Sequence, residues 1–191
     1  VTGLCVLALF IAVLVNFASA QPRAFRERRS PVATASMTAF GLLVYATIRL
    51  RWGALQVAPT WPVLVLRGAG LALLGLGTAY NVWGRRWLKG NWADHVRIYA
   101  DQTLVTQGPY RFTRHPLYAS LIWMVYGASL AYLNPLAALE NTAIFLPAMI
   151  YRACLEDAEL AGRFGEAHAN YCGRVGLFFP RWPSRRGGGH A

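Results

Sequence analysis

The 191-residue sequence has few charged residues and very few acidic ones. Asp, Glu, Lys and Arg make up 14% of the chain, against about a quarter in an ordinary soluble domain. Hydrophobic residues make up 55%, so the composition excludes a disordered chain and argues against a soluble domain. Eight acidic residues stand against 19 Lys and Arg, a net charge of +11. Taken alone, this surplus is typical of a nucleic-acid-binding protein.

Cysteine and histidine are also few, and they are scattered. The three cysteines, Cys5, Cys154 and Cys172, are odd in number and form no C-x-x-C pair, so the sequence suggests neither a disulfide framework nor a zinc site. The four histidines, at positions 95, 115, 168 and 190, include no pair at the i, i+4 spacing of a helical metal site. We therefore expect no bound metal.

Long apolar runs dominate the sequence. Five segments are free of charge or nearly so: residues 1–20, 32–48, 61–83, 117–133 and 136–151. The first has the length of about 20 residues that crosses a bilayer, and only helices and closed barrels satisfy their backbone groups in lipid. The sequence therefore predicts an all-α polytopic membrane protein with five transmembrane helices. The Asn134-Pro135 turn signal predicts a short hairpin of the last two.

The basic residues fall on one side of this topology. Sixteen of the 19 follow the first, third or fifth run, and only Arg49, Arg51 and Arg67 remain for the opposite side. By the positive-inside rule, we expect the N-terminus outside the cell membrane and the C-terminus in the cytoplasm. The net charge is then a topology signal with an attraction to anionic lipid, and it no longer favours nucleic acid.

The first apolar run has a second interpretation. Ala18-Ser19-Ala20 has the small residues of a signal-peptide cleavage site. However, no basic residue precedes the run, and cleavage would leave the Arg23–Arg29 cluster on the outer face. We expect a retained first helix. We divide the chain into a three-helix membrane region at 1–83, a core at 84–182 and a disordered tail at 183–191.

Residues 63–70 imitate a strand that leads into the glycine turn of a dinucleotide-binding fold. Leu73 stands where that motif needs its third glycine, and no acidic residue follows at the ribose-binding distance. The motif is therefore rejected. Gly70, Gly77 and Gly84 recur every seven residues, which favours close approach of a neighbouring helix to the third span.

Two segments outside the spans concentrate unusual residues. The connection at 84–116 is too long for a simple loop, and the segment at 151–166 holds four of the eight acidic residues. If the fifth helix continues, Arg152 and Glu156 share one face. Interfacial anchors and ordinary ion pairs would explain these residues without any function. A binding site would also explain why charges are placed at the mouth of a membrane hairpin.

Together, these segments resemble the isoprenylcysteine carboxyl methyltransferase and phospholipid methyltransferase superfamily of integral membrane enzymes. The motifs that carry the resemblance are Gly108-Pro109-Tyr110, then Arg114-His115-Pro116-Leu117-Tyr118, a short helical hairpin, Arg152 with Glu156-Asp157, Phe164-Gly165-Glu166 and Phe179-Pro180. The resemblance covers about residues 80 to 182. It implies S-adenosyl-L-methionine in a cytosol-facing pocket between the loop and the C-terminal segment, and a lipophilic acceptor that enters from the membrane.

The resemblance also implies site residues. It assigns cofactor binding to His95, Gln102, Thr103, Leu104, Val105, Gly108, Tyr110, His115, Pro116, Leu117, Tyr118 and Glu156. It makes Arg152 and Glu156 the catalytic pair, with Arg152 on the acceptor side. The sequence departs from the family pattern at Gln102, Asp157 and His168, where His, Glu and Tyr are common.

The implied activity is methyl transfer to an isoprenylcysteine-like carboxylate or another lipid-like acceptor. A sulfonium methyl donor is already activated, so the protein has to align donor and acceptor and exclude water. Glu156 can complement the cationic cofactor, and Arg152 can hold an anionic acceptor. The alternatives are a phospholipid N-methyltransferase, a nicotinamide-dependent membrane reductase and a non-enzymatic membrane scaffold.

Overall fold

The computed structural model describes residues 31–88 and 103–181, and these residues are helical with connecting turns. The α-helices are α1 (Pro31–Arg49), α2 (Trp61–Leu88), α3 (Pro116–Ala131), α4 (Pro135–Glu140), α5 (Leu146–Phe164) and α6 (Glu166–Arg174). A 3-10 helix at Gly108–Arg111 precedes α3, and a π-helical turn at Asn141–Phe145 joins α4 to α5. The part of the chain that the structure describes contains no β-strand, and the all-α prediction is confirmed there.

The membrane-spanning character is clearest in α2. This helix has 28 residues and, within the described ranges, is the one helix both long and apolar enough to cross a bilayer. Two shorter apolar helices, Ala39–Arg49 and Pro116–Ala131, coincide with predicted spans. The first predicted span and the predicted tail lie outside the described residues. The count of five spans and the division into regions therefore stay predictions.

Helices α2 and α3 pack through the three glycines spaced by seven. A Cβ on Gly70 would lie 2.4 Å from the backbone nitrogen of Ala131, and one on Gly77 would lie 2.7 Å from Met124 Cγ. A Cβ on Gly84 would lie 3.0 Å from Leu117 Cδ2. The predicted close approach is confirmed, and residues 63–70 are helical rather than a strand and turn.

The predicted hairpin begins at a sharp turn after α3. Leu133 adopts a left-handed φ of 50°, and the Asn134 side chain accepts a hydrogen bond from Ala137 N at 3.0 Å, which caps α4. The π-helical turn then carries the helical path onward. Asn141 Nδ2 donates to Ile122 O at 3.1 Å across the hairpin. The path ends at Phe164, well beyond the predicted span, so Arg152 and Glu156 lie on one helix as the spacing predicted.

Candidate active site

The candidate site begins at the 3-10 helix. Gly108 has φ +60°, and a Cβ there would lie 2.4 Å from Trp87 Nε1. Only glycine therefore fits this turn against the end of α2. Pro109 follows in the first turn of the 3-10 helix, where its missing N–H costs nothing.

Two tyrosines hold the 3-10 helix in place. Tyr80 on α2 donates to Pro109 O at 3.1 Å, and Tyr171 on α6 donates to Tyr110 O at 2.6 Å. Burial is the main cause that raises the pKa values of Tyr110 and Tyr171. Both phenols therefore stay protonated at neutral pH, and Tyr171 keeps the proton that it donates.

The C-terminal segment clamps the residues between the 3-10 helix and α3. Thr113 and Gly176 form an isolated parallel bridge. Arg114 N donates to Gly176 O at 2.9 Å, and His115 N donates to Leu177 O at 3.2 Å. These backbone hydrogen bonds fix the position of the Arg114 and His115 side chains against α5.

His115 is the N-cap of α3 and is 7% exposed. Its Nδ1 lies 3.3 Å from Glu156 Oε2, and its Nε2 lies 3.1 Å from Asp157 Oδ1. Burial opposes a charged ring, but the hydrogen bonds to Asp157 and Glu156 outweigh it and raise the pKa of His115. The imidazole is thus held between two adjacent carboxylates.

The side chains of His115, Tyr118 and Arg152 converge on Glu156. Tyr118 OH donates to its Oε1, and Arg152 Nε donates to Tyr118 OH at 2.9 Å. Arg152 Nε also lies 3.8 Å from Glu156 Oε1, one helical turn away. The Tyr118 ring stacks on His115 with the ring planes 10° apart. The Glu156 side chain keeps 26% of its surface exposed, so a ligand can reach it.

Asp157 closes the network on the side of α6. Arg114 Nη1 lies 2.6 Å from its Oδ2, and His168 Nε2 lies 3.4 Å from its Oδ1. Burial opposes ionisation of this carboxyl, yet the hydrogen bond and charge of His115, with Arg114, hold its pKa below the usual range. Asp157 is therefore a carboxylate at neutral pH.

Eight of the predicted site residues fall into three groups. One contact network contains His115, Tyr118, Arg152 and Glu156. Gly108 and Tyr110 lie in the 3-10 helix that leads to this network. Pro116 and Leu117 instead pack toward α2 at Gly84.

The remaining predicted residues are less constrained. Thr103 is exposed, and Leu104 and Val105 are half-buried. His95 and Gln102 lie outside the described residues. The assignment of all these residues to cofactor binding therefore stays a prediction.

Sequence reasoning gave no role to Arg114 and Asp157, which extend the network, or to Tyr171, which holds the 3-10 helix. Asp157 could have been found, since it belongs to the acidic group after the fifth run. The position of Arg114 depends on the backbone pairing with Gly176, and no local sequence signal announces that pairing. Tyr171 is one of nine tyrosines, and nothing in its neighbours distinguishes it.

A family model described as phospholipid methyltransferase matches residues 65–167. These residues make up more than half of the chain and include most of α2, the 3-10 helix, α3 and the charged residues of α5. The chain belongs to this family. The superfamily predicted from the sequence motifs is confirmed, and methyl transfer is the activity that gives the family its name.

The chain is also similar to two curated proteins and to one solved structure. The cobalt-zinc-cadmium resistance protein CzcN of Cupriavidus metallidurans is 33% identical over 139 residues, which cover 72% of this chain and 57% of CzcN. A probable protein-S-isoprenylcysteine O-methyltransferase of Oryza sativa subsp. japonica is 30% identical over 185 residues, with 87% of this chain and 92% of the rice protein covered.

The solved structure is that of the eukaryotic intramembrane Ras methyltransferase ICMT, an isoprenylcysteine carboxyl methyltransferase. It superposes with a TM-score of 0.62 at 22% identity and covers 90% of this chain and 60% of ICMT. This similarity shows a shared fold. The chain thus spans about three fifths of the length of both CzcN and ICMT.

Proposed function

We propose that this protein transfers a methyl group from S-adenosyl-L-methionine to a lipophilic acceptor at the membrane surface. The observation that carries the proposal is the meeting of His115 and Tyr118 with Arg152 and Glu156. These pairs come from two segments more than 30 residues apart, both within the family match. A cation and a carboxylate therefore lie side by side. The carboxylate suits the cationic methyl donor, and the cation suits an anionic acceptor.

The side chains fit the cofactor chemically. Glu156 is an accessible carboxylate whose orientation is fixed by Tyr118 and His115, and such a group complements a sulfonium or an ammonium. The predicted residues at 103–105 and in the 3-10 helix would line the rest of the pocket, with His95 and Gln102. When bound, S-adenosylmethionine supplies a methyl group whose S–C bond breaks as the bond to the acceptor forms.

The residues of this chain then align the acceptor and exclude water. Arg152 can hold an acceptor carboxylate through its guanidinium, and a carboxylate needs no base before it accepts a methyl group. An ammonium acceptor must first lose a proton, and the Arg152 charge disfavours it. We therefore favour an isoprenylcysteine-like carboxylate over a phospholipid amine. The rice relative is named for O-methylation of isoprenylcysteine, and ICMT is named for methylation of the isoprenylcysteine carboxyl group.

We place this site on the cytoplasmic side of the cell membrane, with the N-terminus outside and several spans in the bilayer. The support is the charge distribution of the sequence and the apolar helices of the fold. The family membership favours this methyltransferase over a nicotinamide-dependent reductase or a scaffold.

Calorimetry tests the cofactor site. We expect the purified protein in detergent to bind S-adenosylhomocysteine, and Glu156→Gln to weaken this binding about 10-fold to 100-fold, since a charge-assisted hydrogen bond contributes about 1.5–3 kcal/mol. Glu166→Gln is the matched control, because Glu166 is exposed at the start of α6. Absence of binding in the unaltered protein would overturn the proposal.

Labelled cofactor tests the acceptor. A short prenylated cysteine with a free carboxylate should receive label as a base-labile ester, whereas the same compound with an amide in place of the carboxylate should receive none. Label in phospholipid headgroups instead would contradict the carboxylate assignment and leave methyl transfer itself established.

A further inference from the structure

Asp157, His168 and Cys172 form a cluster on the far side of Asp157 from Glu156. One ligand atom from each lies within 4.8 Å of the other two. His168 Nε2 lies 3.4 Å from Asp157 Oδ1 and 3.5 Å from Cys172 Sγ. Neither His168 nor Cys172 has a part in the proposed methyl transfer.

The fold brings these three residues together by a tight reversal. Gly165, with a φ of 50°, ends α5 and begins α6, so α6 returns alongside the last turns of α5. His168 and Cys172 are four residues apart on α6 and therefore share one face. That face meets Asp157 on α5, which places an imidazole, a thiol and a carboxylate side by side.

Two of the three separations match those of a tetrahedral metal site. Zinc binds cysteine sulfur at about 2.3 Å and imidazole nitrogen or carboxylate oxygen at about 2.0–2.2 Å. With tetrahedral angles, neighbouring ligand atoms then lie about 3.3–3.6 Å apart. The distances from His168 Nε2 to Asp157 Oδ1 and to Cys172 Sγ, 3.4 Å and 3.5 Å, fall within this range, and the Asp157 and Cys172 ligand atoms lie within 4.8 Å of each other.

The burial of the cluster also fits a built site. His168 is 3% exposed, while Cys172 and Asp157 are half-buried. A thiolate and a carboxylate together offset the charge of a divalent ion. Three protein ligands leave a fourth position for water or another ligand.

We propose that Asp157, His168 and Cys172 bind a borderline-soft divalent cation such as Zn²⁺. The Arg114 guanidinium competes with it: Nη1 lies 2.6 Å from Asp157 Oδ2 and 2.7 Å from Cys172 Sγ. A metal ion and this guanidinium are alternative cations for the same position beside Asp157 and Cys172. Occupancy by metal therefore requires Arg114 to swing away.

This site differs from the sequence-based expectation of no metal. That expectation compared histidines with one another, whereas His168 has its i+4 partner in a cysteine. The proposal does not depend on methyl transfer, because metal binding is measured directly. A failure of one proposal leaves the other standing.

Thiol protection in the unaltered protein provides the first test. The protein in detergent, with a non-thiol reductant, is alkylated with and without Zn²⁺, and each cysteine is followed by peptide mass spectrometry. Metal coordination should slow alkylation of Cys172 about tenfold or more, while the exposed Cys154 should react at an unchanged rate. Equal slowing of both cysteines, or of neither, would overturn the site.

Cobalt spectroscopy provides the second test. One equivalent of Co²⁺ should give a thiolate charge-transfer band that Cys172→Ser and His168→Gln abolish and Cys154→Ser retains. Arg114→Gln should tighten Co²⁺ binding about tenfold or more, because a nearby positive charge is removed. Absence of the band in the unaltered protein, its survival in Cys172→Ser, or weaker binding in Arg114→Gln would contradict the proposal.

Discussion

The interface between α2 and α3 is held together by different means from the cluster of His115, Glu156, Asp157 and His168, which we call the charged end. Along the interface, glycines allow backbone to approach backbone, and the atoms nearest to a Cβ placed on Gly70 would be Ala131 N and Gly127 O. At the charged end, ion pairs and hydrogen bonds connect α3, α5 and α6. In lipid, apolar surface alone does not drive helices together, so close packing supplies the stability.

The charged end has a different energetic character. Half-buried charges lose hydration, and their mutual attraction recovers this cost only partly. Replacement of a buried ion pair by apolar residues of similar volume is often neutral for stability or stabilising. A cluster that costs hydration and gains little stability is therefore best explained by what it binds. The comparison predicts that interface substitutions unfold the protein and that cluster substitutions change ligand affinity.

The largest effect is expected from Gly70→Val. The new Cβ would overlap backbone atoms of α3 that cannot move without separating the helices. We expect the free energy of unfolding in detergent to fall by about 3 kcal/mol or more, the upper range for overpacking. Gly75→Val is the matched control on the same helix, because a Cβ there meets nothing within 4 Å. Equal destabilisation by both substitutions would show that the helix propensity of valine, and not the overlap at the interface, causes the loss of stability.

Arg152→Lys should affect the acceptor and leave the fold intact. Lysine keeps the positive charge but loses the planar fork that pairs with a carboxylate. We expect KM for a prenylated cysteine acceptor to rise about 10-fold or more, since a hydrogen bond to a charged group contributes about 1.5–3 kcal/mol. The affinity for S-adenosylhomocysteine should change little.

The control for this substitution is Arg174→Lys, which alters an exposed arginine at the end of α6. Steady-state kinetics with methyl-labelled cofactor measures KM, and thermal unfolding measures stability. A fall in unfolding temperature without a change in KM would mean that Arg152 belongs to the structure and not to the site.

Sequence predicted the interface better than the charged end. The seven-residue repeat of glycines is a local pattern, and helical geometry alone converts it into one face. Arg152 and Glu156 were likewise predictable as neighbours, because four residues separate them on one helix. Both predictions need only the helix on which the residues lie.

The contacts between elements could not be read from the sequence. His115 lies between Glu156 and Asp157 because Gly176 and Leu177 bind the backbone before α3. His168 reaches Asp157 because the chain reverses at Gly165. Each depends on a reversal or a pairing between distant segments, which no periodicity describes. The family resemblance named His115 and Glu156 but not the contact between them.

Tyr118→Phe tests the charged end more finely. It removes the hydroxyl that joins Arg152 to Glu156 and keeps the ring that stacks on His115. We expect about a fivefold to tenfold loss of S-adenosylhomocysteine affinity by calorimetry, because a single hydrogen bond contributes about 1 kcal/mol. Tyr126 lies on the same helix as Tyr118, and its hydroxyl makes an exposed hydrogen bond with Thr142. Tyr126→Phe removes this hydroxyl and should leave the affinity for S-adenosylhomocysteine unchanged. Similar losses of affinity from both substitutions would mean that a general disturbance of α3, and not the Tyr118 hydroxyl, weakens binding.

The smallest effect is expected where the interface itself is polar. Asn81, fully buried on α2, donates to Ser120 Oγ at 2.7 Å and to Leu117 O at 3.3 Å. Ser120→Ala removes the first acceptor and leaves the second, and hydrogen bonds between membrane helices contribute about 0.6 kcal/mol on average. We therefore expect the free energy of unfolding to fall by about 0.6 kcal/mol, several times less than for Gly70→Val. A loss as large as that of Gly70→Val would mean that polar contacts, and not the approach of glycine backbones, hold α2 against α3.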